Sequence, residues 1–167
     1  MSMYVTLQQL SDLPGALELS QVASDRHGAL VDPELLDLSL TGGDRSAYTA
    51  EEIAHADRAI ERITNAVIET GGLMDGYLGA RYTLPLTKPH PLLVTWARAI
   101  TRYKLNGERV SREYTDPVVR DYKDAIRFLE QVESGRFSLG IDDPVQASSA
   151  GGVQFVSGRH DFKGRVA

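Results

Sequence analysis

Residues 49–81 read TAEEIAHADRAIERITNAVIETGGLMDGYLGAR, and this stretch decides the fold. It opens with Thr49-x-x-Glu52, a capping box in which each side chain satisfies a backbone donor that the start of a helix leaves unpaired. Ile53, Ile60, Ile63, Val67, Met74 and Leu78 then recur at intervals of three, four and seven, which places them on one face of an amphipathic helix. Taken through Arg81, that helix is about 48 Å long at 1.5 Å per residue. Gly71-Gly72 interrupts it. An interior glycine costs roughly 1 kcal/mol relative to alanine, so the pair marks a break or a place where another backbone approaches closely. The expectation is one long helix, kinked at the glycines.

Downstream, residues 83–91 contain Pro85, Pro89 and Pro91 and read as a stiff, non-helical connection. Pro91 suits the first position of a helix with Leu92, Leu93, Trp96, Ile100 and Tyr103 on its apolar side, ended by Asn106-Gly107. Asp116 and Pro117 open another, with the stripe Val118, Tyr122, Ala125, Leu129 and Val132 and a stop at Gly135. Upstream, residues 6–13 read as a short helix capped by Thr6 and stopped by Pro14-Gly15, and residues 16–23 as a second. Pro33-Glu34-Leu35-Leu36 suits a single helical turn, followed by a mobile acidic loop over about residues 37–48 around Gly42. The predicted fold is all-α: a small antiparallel bundle of three main helices, braced by short N-terminal helices, over residues 1–135.

Residues 136–167 lack a helical stripe and are rich in Gly, Ser, Ala and Asp, which predicts an extended C-terminal tail. Residues 146–152 have the composition of a flexible linker, and Val153-Gln154-Phe155-Val156 of one short strand. A lone strand cannot bury itself, so Val153, Phe155, Val156, Arg159 and Phe162 are the candidate partner-binding residues of the tail.

Composition excludes several classes. With 167 residues, 42% of them hydrophobic and 25% charged, the chain suits one soluble domain with a real core. No apolar run approaches the roughly 18 residues of a membrane span, and the first residues lack the basic and apolar regions of a signal peptide. Folding is expected in cytoplasm, and no membrane contact is expected. The absence of cysteine rules out disulfides, thiolate nucleophiles and zinc sites of the Cys type. The net charge of -5 comes from residues 1–50, where Asp12, Glu18, Asp25, Asp32, Glu34, Asp37 and Asp44 face only Arg26 and Arg45. Such a balance lacks the footprint of a dedicated duplex-DNA binder.

Catalytic and cofactor signatures are also missing from the sequence. There is no G-x-S-x-G elbow, and Ser148-Ser149 lies in the linker-like stretch. His27, His55, His90 and His160 are far apart and belong to no H-E-x-x-H pattern, and neither phosphate-cradling glycine motif occurs. Asp142-Asp143 before Pro144 reads as a solvated turn rather than a metal site. No cofactor, no metal and no enzymatic activity are expected. Arg98, Arg102, Lys104, Arg109 and Arg112 form the strongest charge feature; a solvated face paired with carboxylates is the preferred reading, and phosphate contacts are the alternative.

Asp75-Gly76-Tyr77-Leu78-Gly79-Ala80-Arg81-Tyr82-Thr83-Leu84-Pro85-Leu86 resembles the D-x-Y-L-x-x-R-Y-x-x-P-L signature of a small family of proteins from Mu-like phages and prophages. Met3-Tyr4-Val5-Thr6, the segment from Trp96 to Leu105, and the segment from Tyr122 to Leu129 followed by Gly135 extend the resemblance over roughly residues 3–140. The ending from Arg159 to Arg165 is only loosely like the family's R-x-F-x-R tail, and the acidic stretch between Asp32 and Thr49 is longer than the family pattern. These are virion proteins similar to the head-tail adaptor, connector or head-completion proteins of long-tailed phages. For the motif residues Asp75, Tyr77, Leu78, Arg81, Tyr82, Pro85 and Leu86, a structural role is expected: Tyr77, Leu78 and Tyr82 close the bundle, Arg81 holds a carboxylate or carbonyl, and Pro85 fixes the exit.

The resemblance implies a subunit of a homo-oligomeric, twelve-fold ring in the neck of the virion, made in the bacterial cytoplasm and docked on the portal protein. Its other side would meet a tail-proximal neck or tail-completion protein, while DNA passes the lumen unread. The alternative is a helical DNA-binding packaging or regulatory protein using Arg98, Arg102 and Arg109. Steeply salt-dependent binding to duplex DNA distinguishes that alternative from an adaptor.

Overall fold

The structure is a computed structural model that describes residues 2–24, 29–86, 90–107 and 115–141. Among these residues it is all-α: α1 is Leu7–Leu10, α2 Ala16–Ala23, α3 Pro33–Thr41, α4 Ala50–Leu78, α5 Pro91–Asn106 and α6 Pro117–Glu133. The caps are those the sequence asks for. Thr6 with Gln9 and Thr49 with Glu52 form capping boxes, Asp32 and Asp116 accept from the amides of the first turns of α3 and α6, and Pro33, Pro91 and Pro117 occupy helix starts. His90 caps α5 through Nδ1, which accepts from the Leu92 amide at 3.2 Å.

Helix α4 is the common wall. The helices α2, α3, α5 and α6 all pack on it; α5 and α6 also pack together, and α2 reaches both α3 and α5. Its buried face carries Ala56, Ala59, Ile63, Ala66, Val67, Thr70, Gly71, Met74 and Leu78, a small-residue half followed by a bulkier one. Ile63, Met74, Leu78, Leu93, Ile100 and Leu129 are entirely buried and join the N-terminal Leu10, Leu35 and Leu36 in one core. A polar contact crosses that core: the Thr101 hydroxyl donates to Thr70 Oγ1 at 3.1 Å, linking α5 to α4 where neither group meets water.

Four expectations are corrected. Helix α4 runs unbroken through Gly71-Gly72 and stops at Leu78; a Cβ at Gly71 would run into the Ser2 carbonyl, so close backbone approach is the reason for the glycine. Residues 37–41 belong to α3, a full nine-residue helix ended by left-handed Gly42, and are not the start of a loop. The apolar faces shift slightly: Leu92 is 38% exposed, Ala97 and Thr101 are buried, and Val119 rather than Val118 is buried on α6. The packed fold continues to Ile141. After α6 the Arg136 amide donates to Gln131 O and the Gly135 amide to Val132 O, a Schellman closure that turns the chain back onto the bundle. Phe137 then packs edge-on against Trp96 and Phe128, and Leu139 is buried. Val153, Phe155, Val156, Arg159 and Phe162 lie outside the described residues, as do Arg109, Arg112, Asp142, Asp143, His27 and His160.

Candidate functional site

The motif residues gather at the C-terminal end of α4, where three separate segments of chain meet. Asp75 faces the N-terminal segment. Its Oδ2 accepts from the Ser2 amide at 2.9 Å and its Oδ1 from the Tyr4 hydroxyl at 2.6 Å. Burial by itself would raise the Asp75 pKa, but the bonds from Tyr4 and Ser2 outweigh it and hold the carboxyl below its ordinary value. The Tyr4 hydroxyl moves well above the tyrosine range, first through burial and then through its bond to Asp75, so it remains a donor. One helical turn earlier, Gly71 leaves room for the Ser2 carbonyl. The N-terminal segment is therefore latched at two points of one helix face.

Arg81 and Tyr82 face the other end of the chain. Arg81 is buried, and its guanidinium lies over Gly135, whose φ of 74° already favours glycine; a Cβ there would collide with the guanidinium. Tyr82 is buried, and its hydroxyl oxygen accepts from the Leu139 amide at 3.1 Å, fixing the segment that follows α6. Leu78 is fully buried between these two latches, and Tyr77 is half-buried against the core. Pro85, preceded by a cis peptide bond, and Leu86 form one wall of a shallow cavity of about 300 Å³ with Tyr4, His90 and Leu93. All seven motif residues are thus brought to one end of the molecule, where Asp75 ties residues 2 and 4 to α4, and Arg81 and Tyr82 meet residues 135 and 139.

The basic cluster has a different fate. Arg102 makes a two-point ion pair with Glu18 of α2, with Nη2 to Oε2 at 2.7 Å and Nε to Oε1 closer still; these bonds raise its pKa. Lys104 pairs with Glu69 at 2.9 Å. Much of the acidity near the start is structural too. Asp32 caps α3, Asp37 accepts from the Ser11 hydroxyl, and Asp44 accepts from Ser46 in the turn before α4. Sequence reasoning missed the Tyr4–Asp75 bond and the packing of Phe137 and Leu139. The first spans 71 residues and has no local signal. The second had one: two apolar residues spaced two apart just after a helix-ending glycine.

Among the described residues there is no group of three or more His, Asp or Glu side chains placed to hold a metal ion, and no helix is long and apolar enough to cross a membrane. Within the motif, Asp75 and Tyr82 accept from backbone amides of distant segments, and Leu78, Arg81 and Tyr82 are buried. Fold and site together define a small all-α protein whose marked sequence motif is a packing hub. The chain belongs to the family described as Bacteriophage Mu, Gp36, which matches residues 4–157, and is therefore a protein of the Mu-like phage group. It is similar to the Mu-like prophage FluMu protein gp36 of Haemophilus influenzae, 38% identical over 111 residues, 63% of this chain and 76% of that protein. It is also similar to Gene product J of Escherichia phage Mu, 33% identical over 86 residues, 52% of this chain and 58% of that protein.

Proposed function

We propose that this chain is a non-enzymatic head-tail adaptor: a virion subunit that assembles into a ring on the portal and joins head to tail while DNA passes through unread. The observation that carries the reading is membership of the Mu-like phage family across residues 4–157, together with a motif used for packing. Large exposed apolar side chains support subunit contacts. Met3, Leu13, Leu17 and Leu30 are each more than half exposed, and all lie within the first thirty residues. Arg102, the central residue of the alternative DNA-binding reading, is occupied by Glu18 instead. In this reading the isolated protein is a monomer or weak oligomer, and the ring forms on the portal.

The tail beyond Ile141, with Val153, Phe155, Val156, Arg159 and Phe162, is the attachment element in this proposal. One tail adds a short strand to a partner at modest affinity, and many tails around a ring gain avidity. Mixing portal-bearing, tailless heads with the full chain or with a chain ending at Ile141 tests this. The full chain should co-sediment with the heads and the shortened one should not; equal occupancy by both would remove the tail from the proposal, and binding by neither would remove the portal.

A further inference from the structure

Three helices open in the same way, on a capping residue followed by proline: Asp32-Pro33 at α3, His90-Pro91 at α5 and Asp116-Pro117 at α6. Proline has no N–H, so the first amide that needs a partner is the one after it. At α3 the Asp32 carboxylate accepts from the Glu34 amide at 2.9 Å, and at α6 the Asp116 carboxylate accepts from the Val118 amide at 2.9 Å. At α5 the same place is filled by an imidazole nitrogen, His90 Nδ1, 3.2 Å from the Leu92 amide nitrogen. Histidine is not among the residues that usually cap helices, and its presence here changes the chemistry of the start without changing its shape.

The difference lies in protonation. A carboxylate keeps its acceptor lone pairs until pH falls to about 4. Nδ1 accepts only in the neutral tautomer that carries its proton on Nε2, and the proton that converts this imidazole to imidazolium goes onto Nδ1 itself. Protonation therefore turns the acceptor of the cap into a second donor aimed at the Leu92 amide, and adds a positive charge at the positive end of a 16-residue helix. Among the described residues no neighbour offsets this. The first turn of α5 holds no acidic side chain. The other elements contribute Ser2, Met3, Tyr4, Pro85 and Leu86 to the cavity beside His90; of these only Tyr4 titrates, and its hydroxyl is bound to Asp75, a carboxylate that the Ser2 amide also engages. Lys88 lies outside the described residues.

We propose that His90 makes the start of α5 an acid-sensitive catch, closed while Nδ1 carries no proton and opened in mild acid when Nδ1 takes one up. The folded chain gives up a hydrogen bond to bind this proton and the unfolded chain does not, so the contribution of the cap is present at neutral pH and lost as pH falls through the histidine range. The change reaches the motif end of the molecule. Leu93 and Val94, in the first turn of α5, line the same cavity as Ser2 and Tyr4, so opening that turn loosens the wall beside the N-terminal segment. The starts of α3 and α6, capped by Asp32 and Asp116, stay closed over the same range, which confines the response to one end of the bundle.

The full chain carrying His90→Asp tests this. It places at α5 the carboxylate that α3 and α6 use, and it keeps His27, His55 and His160 in both proteins, where their titration cancels. Unfolding constants of the two proteins are measured in urea at about pH 7.5 and about pH 5, between which histidine changes charge. The advantage of the variant over the natural chain should be about five-fold larger at the lower pH, the worth of one typical helix cap. The Leu92 amide resonance should move between these pH values in the natural chain and stay in place in the variant. An advantage that does not grow in acid overturns the proposal, and one that shrinks shows imidazolium stabilising this start, which overturns it too. An advantage that grows while the Leu92 resonance of the natural chain does not move would place the effect of His90 elsewhere and remove the catch.

Discussion

Gly71 and Gly76 sit on the same helix and predict opposite responses to an added methyl group. At Gly71 a Cβ meets the Ser2 carbonyl, whereas at Gly76 nothing lies within 4 Å. Alanine gains roughly 1 kcal/mol of helix propensity at either site, but overpacking against the N-terminal backbone costs about 1–3 kcal/mol at Gly71. Gly76→Ala should therefore raise stability by up to about 1 kcal/mol and Gly71→Ala lower it by up to about 2 kcal/mol in urea unfolding. If both variants were stabilised, the N-terminal segment would not sit on α4. Asp75 adds a pH dependence of known sign. Its folded pKa is lowered, so the unfolded chain takes up the proton first as pH falls. The latch contributes fully above the ordinary aspartate pKa of about 3.9 and loses that contribution as pH drops through the lower folded value. The stability gap between the natural chain and Asp75→Asn should thus be widest near neutral pH and close below about pH 4. A gap unchanged by acid would mean that the Tyr4 and Ser2 bonds do not favour the charged carboxyl.

At the scale of elements, the packing of α4 against its neighbours should dominate over surface charge. Leu78→Ala removes a fully buried side chain and should cost about 2–5 kcal/mol, several degrees of melting temperature. Arg102→Ala breaks a partly exposed pair and should cost about 1 kcal/mol or less. The reverse order would make the Glu18–Arg102 pair, not the motif, the brace between the N-terminal helices and α5. The segment after α6 behaves as part of the fold: ending the chain at Ile141 should leave the melting temperature nearly intact, whereas ending it at Gly135 removes Phe137 and Leu139 and should lower it by several degrees, measured by circular dichroism. Equal melting of the two shortened chains would return the boundary to Gly135. Most of the elements were legible because their signals are local. The capping boxes, the N1 prolines and the glycine stops each involve residues within four positions of one another, and they located α1, α2, α4, α5 and α6. Helix α3 exceeds the single turn that Pro33-Glu34-Leu35-Leu36 predicts, because tertiary burial of Leu35, Leu36 and Leu40 extends it to Thr41.

The molecule as a whole is held by contacts that the sequence does not announce. Tyr4 to Asp75, Arg62 to the Ala23 carbonyl at 2.8 Å, Glu18 to Arg102 and Leu139 to Tyr82 join residues 39 to 84 positions apart, and only packing decides which carboxylate meets which donor. The motif 75–86 was recognisable as a pattern, yet its purpose, tying both ends of the described chain to one helix, is visible only once those partners are in place. The central claim, that this protein is the ring between head and tail, is tested most directly by cryo-electron microscopy of intact particles carrying it. The account predicts symmetric density matching this all-α fold at the head-tail junction, seated on the portal and open along its axis; particles whose junction is built from other chains, with this protein absent or located elsewhere, would contradict it.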